Sequence, residues 1–217
     1  VGKERINLGK DKTAGILGLE TWVDINNRNM ISGTESLSFE AGNISNSGIM
    51  LSVGSLYIGA GGRIYNGEGG RIEGAGDIHM EGSEIENIRG EILSGGSLEL
   101  IADTLIRNSL GRIYSGGGIY GEVKDGHFEN AGESSIVITE RVRISEEPLE
   151  KERRDWGKAG SPVRSRQVET RERELEMTSE GSGITSDGSI VLNIEGDLIN
   201  RDGGNIGSGK SVQIRAG

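Results

Sequence analysis

A unit of about 21 residues recurs along this chain, and a recurrence of that length confines it to a stack of similar turns. The unit is an aliphatic residue, five residues, a second aliphatic residue, six to eight residues, then aliphatic-x-Asn. The first aliphatic stands at Ile31, Met50, Ile72, Ile92, Ile113, Ile184 and Ile206. Six residues later come Leu37, Leu56, Ile78, Leu98, Ile119, Ile190 and Val212, and two further on Phe39, Ile58, Met80, Leu100, Gly121, Leu192 and Ile214. The unit closes on Ile25/Asn27, Ile44/Asn46, Ile64/Asn66, Ile85/Asn87, Ile106/Asn108, Phe128/Asn130 and Leu198/Asn200.

Each part of the unit has a physical reading. L-x-L has period two, the mark of a strand with one buried face. The residues before it are turn formers, as in Ser94-Gly95-Gly96-Ser97 and Ser186-Asp187-Gly188-Ser189. One such coil is too small to bury a core. Coils stacked at the ~4.8 Å strand spacing bury their aliphatics against the coil above and below. The expected fold is therefore all-β, a right-handed parallel β-helix. Asn27, Asn46, Asn66, Asn87, Asn108, Asn130 and Asn200 are expected to point inward as a structural ladder, each at a bend where Asn tolerates the left-handed region, each amide bonding the next. Gly is frequent and no apolar 3.6 period runs through 1–132, so helices are not expected there.

One segment departs from the repeat. Ile113 and Ile184 are 71 residues apart, and 131–192 contains no Asn. Between Glu140 and Glu180 stand 11 acidic and 10 basic residues, with Pro148 and Pro162 breaking the middle. The expected organisation is β-helix coils over 1–132, a charged excursion over 133–183 and coils again over 184–217. The alternation at 135–145 and a returning segment at 167–177 suggest an antiparallel ribbon with a loose tip. Val1 is not an initiator Met and the coil begun at Ile206 lacks its Asn, so the chain reads as an excerpt of something longer.

The motif I-x-[SG]-x-G-[SD]-L-x-L…I-x-N resembles the haemagglutinin repeat of filamentous-haemagglutinin-type exoproteins, over about 25–132 and 184–217. The family comprises adhesins and contact-dependent growth-inhibition toxins exported by the two-partner route. The resemblance implies a shaft segment of a large secreted or surface-attached bacterial protein, a structural role in adhesion or toxin presentation, and an outer-membrane transporter as partner of the parent protein. It implies no enzyme activity. The family's Asn-Pro-Asn secretion motif and the Val-Glu-Asn-Asn motif that precedes many toxin tips do not occur here, so neither adhesin nor toxin is singled out.

Composition narrows the chemistry. The net charge is −10 with no separate basic cluster, which argues against nucleic acid as a partner. Apolar runs are only a few residues long, so no helical membrane span is expected. There is no Cys, and His79 and His127 lack ligand-spaced partners, so no metal or other cofactor is expected and both histidines read as surface residues. Asp recurs at no coil position, which argues against a calcium array. Residues 204–211 match G-x-x-x-x-G-K-[ST], but strand alternation follows where a phosphate-binding loop needs a helix. Gly116-x-Gly118-x-x-Gly121 is likewise a coil turn in register.

The alternative function is a β-helical polysaccharide-degrading enzyme or tail-spike fragment, which needs two or three acids at one position on neighbouring coils. Glu73, Glu84, Glu86, Glu91 and Glu99 are candidates, read here as a solvated face. Tyr57 and Tyr120 share an outward position with His79 between them, the best patch for a weak sugar contact. Trp22 precedes the first clean coil, Trp156 lies within the excursion, and Asn43-Ile44-Ser45 is a lone glycosylation sequon.

Overall fold

The computed structural model describes residues 5–8, 12–148 and 165–217, with side-chain environments for 18–133 and 181–217. Among these residues every regular element is a strand. The chain divides into two compact units, Val1–Glu133 with Ser179–Gly217, and Ser134–Thr178. The first is a parallel β-solenoid of about seven turns with coils of about 21 residues.

Each coil contributes strands to three faces. In mid-stack, Glu91–Ser94 lies on the first face. Leu98–Ser109 then covers the second face with 98–102 and the third with 105–109, turning the corner at Asp103 and Thr104. Pairing is parallel and keeps like residues in register. Ile92 lies between Ile72 and Ile113, Leu98 between Ile78 and Ile119, and Ile106 between Ile85 and Phe128. This register follows from the period-two pattern, because a slip of one residue would turn each inward aliphatic out to water.

The interior is a column of aliphatics. Ile31, Leu37, Phe39, Leu56, Ile72, Ile78, Ile92, Leu98, Leu100 and Ile113 are all buried. Each contributes about 1.5–3 kcal/mol relative to exposure. No buried side-chain nitrogen or oxygen among the described residues lacks a hydrogen-bond partner. At the first corner, the inward Ser94 hydroxyl shares its one hydrogen between Ser97 O of its own turn (2.9 Å) and Gly76 O one coil away (3.0 Å).

A further coil precedes the clean repeats. Arg5–Leu8 pairs in parallel with Asp24–Asn27, and Lys12–Glu20 with Met30–Ala41. Its residues depart from the motif: Leu8 registers with Asn27 and Lys12 with Ile31.

Between Asn130 and Ser182 the chain leaves the stack and returns without loss of register. Ile113 pairs with Ile184, Ile119 with Ile190 and Asn130 with Asn200. The departing segment contains the strands Glu133–Pro148 and Ser165–Glu180, which pair with each other in a two-stranded sheet. The expected loose tip and Trp156 lie outside the described residues.

Candidate functional site

Three arrangements of polar side chains stand out on the solenoid, one internal and two on its surface. The internal one is the asparagine column at the corner between the third and first faces. Amide Nδ2 donates to the next Oδ1 from Asn27 to Asn46, Asn46 to Asn66, Asn66 to Asn87 and Asn87 to Asn108, each at 2.8 Å. It continues from Asn108 to Asn130 and Asn130 to Asn200 at 2.9 Å. Asn87 Nδ2 also reaches Gly90 O (3.0 Å) and Arg112 O (3.3 Å), and these carbonyls fix which way the amide faces.

The left-handed conformation expected at these Asn falls elsewhere. Positive φ occurs at Arg89 (55°), Leu110 (52°) and Asp202 (53°), each two residues after a ladder Asn. The Asn itself stays in its strand, because only there does its side chain point down the stack at the next amide. The corner then closes on a glycine for a steric reason. A Cβ at Gly111 would stand 2.3 Å from Asn87 Nδ2 and 2.5 Å from Asn108 Oδ1.

Ser182 occupies that glycine position on the coil that resumes after the excursion, since Gly183 registers with Arg112. Its buried hydroxyl accepts from Asn108 Nδ2 (2.7 Å) and donates to Asn130 Oδ1 (2.7 Å). A hydroxyl with both donor and acceptor capacity thus joins the ladder where the chain re-enters.

The second arrangement corrects an expectation. Glu86 is not part of a solvated face. It is buried on the third face, its carboxylate held by Arg63 Nε (2.5 Å) and Arg107 (3.3 Å). Arg107 Nε continues to Glu129 (2.6 Å), which Arg201 also holds (2.7 Å). Burial pushes the Glu129 pKa up, but hydrogen bonds and charge from Arg107 and Arg201 outweigh it and leave the carboxyl below its ordinary range. Glu86, Arg107 and Glu129 stack in one column, and Arg63 and Arg201 reach it from two residues away on the flanking coils, so the signs alternate from coil to coil as a clasp across the outside of the stack. Glu73 is likewise paired, to Arg71 (2.7 Å), and Glu91 lies 3.5 Å from the same guanidinium.

The third arrangement is a trough of about 410 Å³ where the second face turns into the third. Its floor is made of small residues, including Gly42, Gly61 and Gly82. One outward column on the second face reads Glu20, Glu40, Gly59 and Glu81 on successive coils. The ring of Tyr57 occupies the room that Gly59 leaves, since a Cβ there would meet its hydroxyl at 2.9 Å. Burial and the neighbouring Glu40 and Glu81 carboxylates push the Tyr57 pKa up, and Glu40 also hydrogen-bonds to it. Trp22 stands at the lip, 96% exposed, and Asp103 lies on the coil after Glu81.

His79 is not a solitary surface residue. Its ring stacks on Tyr57, centroids 5.2 Å apart and planes 6° from parallel, and Nδ1 lies 2.7 Å from Glu99. Tyr120 shares the outward position but turns away to donate to Glu122 (2.5 Å). His127 is half-buried on the third face. The sequon amide Asn43 donates to Asp24 Oδ1 (2.7 Å) and accepts from Arg63 N (2.9 Å). The phosphate-loop look-alike lies across Asn205–Ser208 and the turn into Val212–Ala216, strand followed by strand. Among the described residues no group of three or more His, Cys, Asp and Glu could hold a metal ion, and no helix is long and apolar enough to cross a membrane.

Comparison with protein-family models, with curated proteins and with solved structures gives no match for this chain.

Proposed function

We propose that this chain is a shaft segment of a large secreted or surface-attached bacterial exoprotein, of the two-partner type, that holds adhesive or toxic elements away from the cell. The parent protein would take an outer-membrane transporter as its export partner. The observation that supports this reading is the continuity of the asparagine ladder across the excursion, with Asn108 bonded to Asn130, Asn130 to Asn200, and the Ser182 hydroxyl bonded to both Asn108 and Asn130. A stack that accepts a large insertion at a corner without breaking register suits a spacer that tolerates inserted segments. The resemblance of its repeat to the haemagglutinin repeat supplies the secretion route.

In this reading the trough carboxylates bind rather than cleave. Cleavage by the alternative, a polysaccharide-degrading enzyme, needs an acid kept protonated by a dry pocket. The Glu81 side chain is instead 49% exposed to water. The test is export. Joined to a two-partner secretion domain and co-expressed with the matching transporter, the chain should reach the cell surface and give rods that lengthen by about 4.8 Å per added coil. Retention in the periplasm while an authentic shaft passes, or release of reducing ends from glycans by the purified chain, would overturn the proposal.

A further inference from the structure

The trough combines features that the shaft role does not require. It runs along the stack over five coils, from Glu20 and Trp22 to Asp103, about 19 Å at the ~4.8 Å coil spacing. Its lining carries four carboxylates, Glu20, Glu40, Glu81 and Asp103, and no cationic side chain. Lys124 approaches one end only, 3.2 Å from Asp103 and 3.9 Å from Glu81. Three acids elsewhere on the solenoid carry arginine partners at 3.3 Å or less: Glu86 takes Arg63 and Arg107, Glu129 takes Arg107 and Arg201, and Glu73 takes Arg71. The end of the trough holding Glu20 and Glu40 has no such partner among the described residues, and it is the end that presents Trp22 and Tyr57.

From this we infer that the trough is a binding site for an extended organic cation, whose ammonium groups lie against the carboxylates and over the faces of Trp22 and Tyr57. Two forces act together there. Carboxylates that face one another in a concave site raise the local concentration of cations. An indole or phenol face attracts an ammonium group through its quadrupole, Trp most strongly, and more so where water is partly displaced. The coil spacing also suits a flexible polyamine-like chain, because Glu40 and Glu81 stand two coils apart, about 10 Å, with the Tyr57 ring lying over Gly59 between them. An anionic ligand is disfavoured by the same carboxylates, and a neutral sugar would leave their charge unanswered.

The experiment uses the whole 217-residue chain with Trp156→Phe, so that Trp22 is its one fluorescent indole. Spermine and tetralysine are the cationic probes, tetraglutamate and cellotetraose the controls, followed by calorimetry and Trp22 emission. Spermine should bind saturably with a dissociation constant on the order of 0.1 mM at low salt. Binding should weaken severalfold between about 50 and 200 mM NaCl as screening grows. Glu40→Gln with Glu81→Gln should weaken it about tenfold, as should Trp22→Leu, with melting temperatures unchanged. Glu73→Gln with Glu91→Gln, the same charge change on the first face, should leave it within about twofold. Binding of spermine alone would identify a free polyamine as the source of the cation, and equal or tighter binding of tetralysine a lysine-bearing peptide. No saturable response to either cation by about 10 mM would overturn the inference. So would equal weakening by the two double variants, or tighter binding of cellotetraose than of both cations.

Discussion

Replacing Asn87 with alanine removes one rung from the middle of the ladder, and the structure states what is lost. Asn66 Nδ2 loses its 2.8 Å acceptor on Asn87 but keeps Gly70 O and Glu91 O, both at 3.1 Å, so each of its hydrogens still has a partner. Asn108 Oδ1 fares differently. It loses its amide donor and is wholly buried, with no route to water. One orphaned buried acceptor costs about 1–3 kcal/mol. The void left by the missing carboxamide adds to this in proportion to its volume. The expected destabilisation is about 2–3 kcal/mol, or roughly 5–10 °C in melting temperature for a chain of this size. Thermal melting followed by far-UV circular dichroism measures it, with Asn205→Ala as the control. Asn205 is exposed and outside the ladder, so its loss should cost less than about 0.5 kcal/mol. Hydrogen exchange should show the coils beside Asn87 opening first, because solenoid coupling is to nearest neighbours. Equal melting temperatures for the two variants would refute the claim that the ladder amides are structural.

Adjacent corner residues should respond with opposite sign. Leu110→Gly relieves a left-handed side chain, worth about 1–2 kcal/mol, against about 0.5–1 kcal/mol for the backbone entropy glycine adds to the unfolded chain, a net stabilisation of about 0.5–1 kcal/mol. Gly111→Ala drives a methyl group into two ladder amides and should destabilise by more than about 2 kcal/mol; urea midpoints of the pair check both. The Glu129 carboxyl titrates below its unfolded value, so its stabilising effect is present at neutral pH and is lost as pH falls through the folded value. Wild type should therefore melt above Glu129→Gln at pH 7, and the gap should narrow as pH falls below the ordinary carboxylate range and close once the folded carboxyl is protonated. A gap independent of pH would contradict the clasp. Replacing 134–178 by a short Gly-Ser linker should change melting of the solenoid by no more than a few degrees, because closing a loop between stacked coils costs only a slowly growing entropy. Collapse of the stack in that deletion would show the insertion to be part of its core.

The parts legible in the sequence were those set by period. Inward aliphatics and Asn recur because each must meet its own kind one coil away, and that requirement fixes residue type as well as spacing. Outward positions carry no such constraint. Glu86 reads as one more charged residue in a charged chain, and only the stack shows it covered by Arg63 and Arg107. The trough column Glu20, Glu40, Gly59 and Glu81 is as evenly spaced as the asparagines, but glycine interrupts it and Ile101 follows it, which hides the acids. The coil before Ile25 falls within the expected 1–132, but its motif is not legible because Leu8 and Lys12 stand where the repeat has Asn and Ile. Ser182 was missed for the opposite reason: Gly-Ser-Gly looks like any turn, and its role exists only because two amides 22 residues apart meet at its hydroxyl.

The ladder amides all face one way. From Asn27 to Asn200 each rung gives its hydrogen to the rung that follows it in sequence, never to the one before. A reversed rung would set oxygen against oxygen on one side and hydrogen against hydrogen on the other, so direction is a property of the whole column. The partial charges then align head to tail and polarise one another, as in any chain of like-oriented amides. The column is thus a vector: each completed coil offers a positioned donor to the chain that comes next and an acceptor to the chain already in place. Growth from the amino-terminal side meets a template of fixed polarity at every step, and a chain that emerges amino end first can order itself coil by coil as it arrives.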